Sequence, residues 1–300
     1  MRALVPTNDE RFVQMAEVDE PSVADGQVLI EVEAFSINRG ELTLLESGRP
    51  NWRPGQDVAG VVLDSPPDGP PTGARVVALA DWEGWAERVA VPGERVAVLP
   101  DDLSTTQAAA LPLAGVTALR LLRRAGSVLG ERLLITGASG GVGHFLAQLA
   151  TAAGASVTAV TRSTERGQRL EQLGATVVQR VEDAEGPFSV ILESVAGEVF
   201  SAAMAKAARD ALVLWFGHGS RQPITLTFST RDYPGVNIEI FSYHYTPVAR
   251  DEDLATLVRL VSNGQLDIEI GRQESWEHTS GVLADLRDRK IRGKAVLTVT

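Results

Sequence analysis

The chain has 300 residues, 44% of them hydrophobic, a net charge of −11 and no cysteine. That length holds one large domain or two ordinary ones, and the missing thiols exclude disulfides, thiol catalysis and thiolate metal sites. The acidic balance argues against nucleic acid or an anionic membrane surface as a partner, and no apolar run approaches the ~20 residues of a membrane span. The opening segment moves straight into a strand-like stretch without a signal-peptide core, so the sequence reads as cytoplasmic.

In chain order, the first hundred residues are β-rich. Residues 27–33 alternate through Val28, Ile30 and Val32, and further short strands are expected at 58–63, 75–80, 86–91 and 95–99. A loop with four prolines, 64–73, separates two of them. A capped, alanine-rich helix is expected at 104–111, continuing as 116–124 beyond Pro112. From Glu131 onward strands at 132–136, 156–161, 176–179, 188–193, 211–216 and 236–241 alternate with helices, the pattern of a doubly wound parallel sheet. The alternation then stops. An amphipathic helix at 252–263, closed by Gly264, is followed by a helix at 279–289 and a strand at 294–299. The expected class is therefore α/β, with a β-rich domain from 1–112 and 247–300 around an inserted domain, 113–246.

The sharpest motif lies at the first of these alternating strands. The apolar run Leu133-Leu134-Ile135 meets glycines at 137, 140 and 143, and an apolar helical stretch, 145–153, follows at once. Gly137 allows a tight turn, Gly140 lets the backbone approach a phosphate, and Gly143 lets helix and strand pack closely. The unpaired amides of the helix start, Ser139, Gly140, Gly141 and Val142, then face a pyrophosphate, helped by the helix dipole.

Seven segments in order carry a family resemblance: 36–41 (Ser-Ile-Asn-Arg-Gly-Glu), 54–62, 84–87, 108–112, 114–119, 137–143 and 292–297. With them the chain resembles the medium-chain dehydrogenase/reductase superfamily, in its zinc-free quinone oxidoreductase and enoyl reductase branch. The resemblance implies a GroES-like β-rich catalytic domain, a Rossmann domain, a cofactor cleft between them and a homodimer. The short-chain dehydrogenases also use a Thr-Gly-rich loop. They place it at the N-terminus and need a Tyr-x-x-x-Lys pair, which no tyrosine here supplies.

The second strand of a dinucleotide fold usually ends in an acid that binds the ribose 2′-hydroxyl. Here that place holds Thr161, Arg162 and Ser163, with Arg166 close behind. Guanidinium and hydroxyl groups suit a 2′-phosphate, so NADPH is the expected cofactor. An arginine at a helix start opposes the dipole, and a nearby anion gives it a reason to be there. No metal is expected. Zinc-dependent relatives carry Gly-His-Glu where this chain has Gly55-Gln56-Asp57, and its four histidines are scattered.

Without a Lewis acid the reaction must rest on hydride delivery to an activated acceptor, a quinone or an α,β-unsaturated carbonyl. By resemblance, Asn38 and Thr117 lie near the nicotinamide, Phe216-Gly217 line its pocket with backbone, and Arg289 and Lys294 reach toward the phosphates. Arg39 is read as a clamp for an acidic substrate, or as a salt-bridge partner of Glu41 or Asp57. Tyr243 and Tyr245 are candidate proton donors, with water as the alternative. Trp52, Trp82 and Trp85 either line an apolar pocket or belong to the core. Two other functions fit the same motifs: an enoyl-thioester reductase of lipid or polyketide metabolism, and an NADPH-binding sensor or structural protein with little turnover.

Overall fold

The structure, a computed structural model, describes residues 1–7, 9–226, 232–242 and 250–299. The chain divides into two compact units, Met1–Val116 with Pro247–Thr300, and Thr117–Thr246. Among the described residues no helix is long and apolar enough to cross a membrane.

The first unit opens with the antiparallel pair β1 (Arg2–Pro6) and β2 (Val13–Glu17). It continues through β3 (Gln27–Ile37), α1 (Arg39–Glu46), β4 (Asp57–Asp64), β5 (Arg75–Leu79), β6 (Arg88–Pro92), β7 (Val96–Val98) and α2 (Thr105–Ala108). β3 is the organising strand. Val28, Ile30 and Val32 point into the core while Glu31 and Glu33 face solvent, as a half-covered antiparallel strand requires. Beyond Glu33 every residue to Ile37 is buried, so β3 enters the interior just where Asn38 begins.

The helix expected at 104–111 is one short turn. Ser104 caps it, and α3 (Pro112–Ala125) then starts afresh, with proline at the first helical position, where a missing N–H costs nothing. α1 is a helix that periodicity alone does not announce. It starts because Asn38 occupies the N-cap and the Glu41 carboxylate reaches back to the Asn38 N–H, at 2.8 Å.

The second unit carries β8 (Arg132–Ile135), α4 (Gly141–Ala152), β9 (Ser156–Val160), α5 (Thr164–Gln172), β10 (Thr176–Val178), β11 (Phe188–Glu193), α6 (Gly197–Met204), β12 (Ala207–Trp215) and β13 (Asn237–Ile240). Among the described residues these strands form one six-stranded parallel sheet in the order β10-β9-β8-β11-β12-β13. This is the doubly wound 3-2-1-4-5-6 order, whose reversal between β8 and β11 opens a crevice at the strand ends. Leu133, Leu134 and Ile135 are wholly buried, which explains why β8 reads as a continuous apolar run.

The chain returns to the first unit with α7 (Arg250–Ser262), β14 (Ile270–Ser275), α8 (Thr279–Arg287) and β15 (Lys294–Thr298). β15 inserts between β14 and β3, running antiparallel to β3 with Ala295 opposite Ile37. Its first residue, Lys294, therefore arrives beside Asn38.

Candidate active site

In the first unit, Ser36, Asn38, Glu41, Gln56, Asp57 and Lys294 are all buried. Asp57 is the hub. Its Oδ2 accepts from Ser36 Oγ at 2.6 Å, Asn38 Nδ2 at 2.8 Å and Lys294 Nζ at 3.1 Å, and its Oδ1 accepts from the Leu113 amide at 2.8 Å. Lys294 Nζ also donates to Asn38 Oδ1 at 2.5 Å and to the Ile37 carbonyl at 3.4 Å. The anion below Nδ2 and the cation at Oδ1 fix which way the Asn38 amide points. An asparagine has two amide hydrogens, and Asp57 takes one of them.

This corrects the reading of Lys294 as a phosphate ligand. Its ammonium neutralises a buried carboxylate, and leaving Asp57 in the interior without a cation would be far costlier than giving up one phosphate ligand. Arg39 reaches the C-terminal helix of the same unit. Its Nη2 donates to the Leu286 carbonyl at 3.1 Å, and Glu41 and Asp57 take their hydrogen bonds from other groups. Arg289 follows α8 in a left-handed turn, φ 60°, at the approach to β15. Trp85 is core, fully buried and stacked on Phe35 at 5.4 Å. Tyr243 and Tyr245 lie outside the described residues.

Glu41 is the residue that sequence reasoning missed. Its Oε2 takes the Asn38 amide, and its Oε1 takes the amides of Gly55 at 3.0 Å and Gln56 at 2.9 Å. Burial, then the nearby Asp57 charge, push its carboxyl up from the ordinary 4.5 to about 8, against the amide donors and Lys294. With Glu41 protonated, the Asp57 and Lys294 charges balance in the interior. Between about pH 4.5 and 8 the folded chain keeps this proton while the unfolded chain releases it. The stability it contributes is therefore present below pH 4.5 and lost as pH rises through about 8. Urea unfolding of Glu41→Gln from pH 5 to 9 should show a shallower decline than the parent. Equal slopes would refute the assignment. Glu193 in the second unit, also raised by burial, supplies part of the remaining slope.

In the second unit the glycine loop leaves β8 through Thr136 and Gly137, φ 61°, and reaches Gly140, the N-cap of α4. At Gly143 a Cβ would lie 2.6 Å from Ala138 Cα and 2.6 Å from the Gly137 carbonyl oxygen, so only glycine lets helix and turn close together. The amides of Gly141, Val142 and Gly143 belong to the first turn of α4, where no intrahelical acceptor exists. This is a cradle for an anion.

Behind it the Thr136 hydroxyl donates to Glu193 at 3.0 Å and accepts from the Ser194 amide at 2.9 Å, tying the ends of β8 and β11. Glu193 also accepts from the Val195 and Ala196 amides, at 2.7 and 3.0 Å, and its carbonyl takes the Phe216 amide at 2.9 Å. The loop holding Phe216 and Gly217 is thus anchored to the same strand end. At the end of β9, Thr161 Oγ1 donates to the Ser163 carbonyl at 2.9 Å, and Ser163 Oγ caps α5 by accepting the Arg166 amide. Arg166 Nε reaches across to Ser139 Oγ at 3.1 Å. Ser139, Arg166, Thr161 and Ser163 are therefore brought together beside the cradle, with Arg162 exposed at its edge. Thr117 is buried on α3.

Residues 141–263 match the protein family described as zinc-binding dehydrogenase. The 2-methylene-furan-3-one reductase of Solanum lycopersicum is 34% identical over 211 residues, 60% of this chain and 52% of that enzyme. The quinone oxidoreductase of Sus scrofa is 37% identical over 165 residues, 52% of this chain and 50% of that enzyme. The chain is thus similar to the zinc-binding dehydrogenase family over residues 141–263 and to these reductases over a little more than half of its length. It spans about half the length of these curated relatives, 52% and 50%. In fold, the chain is similar over 99% of its length to a mycobacterial protein, Rv1454c, solved with NADPH, at TM-score 0.89 and 24% identity, covering 100% of that chain. Escherichia coli quinone oxidoreductase, also solved with NADPH, gives TM-score 0.87 at 21% identity, with 99% of each chain covered. Among the described residues no three His, Asp or Glu side chains gather as metal ligands.

Proposed function

We propose that the chain is an NADPH-dependent reductase of quinones or α,β-unsaturated carbonyls that works without zinc. The observation that carries this reading is the glycine cradle at α4 beside a strand end that bears Thr161, Arg162 and Ser163 in place of a carboxylate. The names of its relatives support the same reading, including an NADPH-dependent alkenal/one oxidoreductase of Arabidopsis thaliana, 32% identical over 199 residues.

The donor chemistry fits the cofactor. The α4 amides would hold the pyrophosphate, Arg162, Ser163 and Arg166 the 2′-phosphate, and the Phe216-Gly217 backbone the nicotinamide end. NADPH, when bound, supplies a hydride. What the chain adds is position and polarity. Lys294 Nζ, held by Asp57, donates to Asn38 Oδ1 and withdraws electron density from the amide. The Asn38 N–H not bound to Asp57 becomes a better donor toward oxygen, of a cofactor hydroxyl or of a carbonyl gaining negative charge.

The test follows NADPH absorbance at ~340 nm, the nicotinamide band, with panels of quinones, enals and enoyl thioesters. Turnover on the first two classes is expected, and tight binding with no turnover on any class would overturn the reading. In the same assay Arg162→Asp should weaken NADPH about 10- to 100-fold, the loss of one charge-assisted contact, and leave NADH unchanged. Unaltered NADPH affinity would remove Arg162 from the 2′-phosphate site.

A further inference from the structure

The segment between α1 and β4 holds a group of side chains outside the buried Asp57 network, with Trp52 half-buried against the core of the first unit. Arg49 lies with its guanidinium carbon 5.8 Å from the ring centre of Trp52 and 5.4 Å from that of Trp82. The two indoles meet edge to face at 5.1 Å. Arg53, next to Trp52, gives Nη2 to Glu83, next to Trp82, at 2.7 Å. Backbone bonds bind the two segments, Glu83 N to the Arg53 carbonyl at 3.1 Å and Gly84 N to the Gly55 carbonyl at 3.0 Å. Asn51 and Glu83, the residues flanking the indole pair, both hold left-handed backbone, φ 53° and 72°. Such strain in non-glycine residues persists where the surroundings impose it, and it gathers at ligand-binding sites.

What this group lacks is acceptors. Arg53 is matched by Glu83, but Arg49 meets no carboxylate among the described residues and rests on π-faces alone. Trp52 Nε1 and Arg53 Nη1 are buried with no hydrogen-bond partner. An exposed guanidinium that is matched by no carboxylate and backed by two π-faces is placed to take an anion. The paired indoles add a surface that favours a flat, conjugated body. The same segment runs directly into Gly55, Gln56 and Asp57, whose amides and carboxylate belong to the Glu41 and Asn38 network.

We propose that Arg49, Trp52 and Trp82 form a binding subsite for a planar conjugated carboxylate, with Arg49 taking the acid and the indoles the ring. This deepens the reductase reading, on which it rests, by making the acid the remote handle of the substrate. Binding is measured by calorimetry without NADPH, so its outcome stands apart from any failure of turnover. The probes are 2-naphthoate and its neutral counterpart 2-naphthylmethanol. The parent should bind the acid at least tenfold more tightly than the alcohol. Arg49→Met should abolish that preference and leave alcohol binding unchanged, and Arg49→Lys should restore part of it. Equal binding of the two probes by the parent, or a preference that survives in Arg49→Met, overturns the proposal. Arg49 is exposed, so the variant is expected to fold like the parent.

Discussion

Lys294→Met is expected to destabilise the chain by roughly 3–5 kcal/mol, the usual result of removing one member of a buried ion pair. The cause is what stays behind. Asp57 would keep its charge in the interior with only Ser36, Asn38 and the Leu113 amide as partners, and Asn38 would lose the cation that sets its orientation. Neutralising the survivor should relieve much of the loss, so Lys294→Met with Asp57→Asn should be more stable than Lys294→Met alone. The coupling between the two sites should be about 0.5–3 kcal/mol, as for residues in one network. Urea midpoints of the four proteins decide it. A Lys294→Met variant as stable as the parent would mean that the ion pair contributes nothing.

Gly143→Ala should have the larger effect on cofactor binding. The added methyl would lie 2.6 Å from two backbone atoms of the turn, Ala138 Cα and the Gly137 oxygen, and neither can swing aside as a side chain tip can. α4 must retreat from the turn, at a cost of about 1–3 kcal/mol in stability typical of overpacking. Its free amides move with it, and NADPH affinity should fall by about 100-fold or more, equivalent to some 2.7 kcal/mol. Gly281→Ala is the control. It lies inside α8 with open space where the methyl would go, so it should be neutral or stabilise by roughly 0.5–1 kcal/mol. NADPH titration and thermal unfolding of both variants test this. Normal binding by Gly143→Ala would mean that the turn is not the phosphate cradle.

Legibility differed between the two units for physical reasons. The parallel sheet declared itself because its central strands are buried on both faces, which leaves unbroken apolar runs such as Leu133–Ile135. The glycine spacing could be read because each glycine answers a local steric demand. α1 was readable in principle: Asn38 with Glu41 three residues on is a capping pair, although the stretch resembled a loop by periodicity. The role of Lys294 was not readable locally. Its partner Asp57 is 237 residues away, and only the insertion of β15 beside β3 brings them together. The bond from Arg39 was hidden for the same reason, because the Leu286 carbonyl that accepts it lies 247 residues along the chain.

The placement of β15 has a consequence for the order of assembly. Residues 117–246 form a continuous stretch whose strands can pair as soon as they are made. The first unit cannot finish so early, because β6 covers only residues 27–31 on that edge of β3 and residues 34–37 stay open until β15 is synthesised. Until then Asp57 has its hydroxyl and amide donors but no cation, and burying it is unfavourable. The same late residue that closes the sheet delivers that cation. Completion of the polar centre and completion of the sheet are therefore one event, and a nascent chain that stops short of Lys294 has neither.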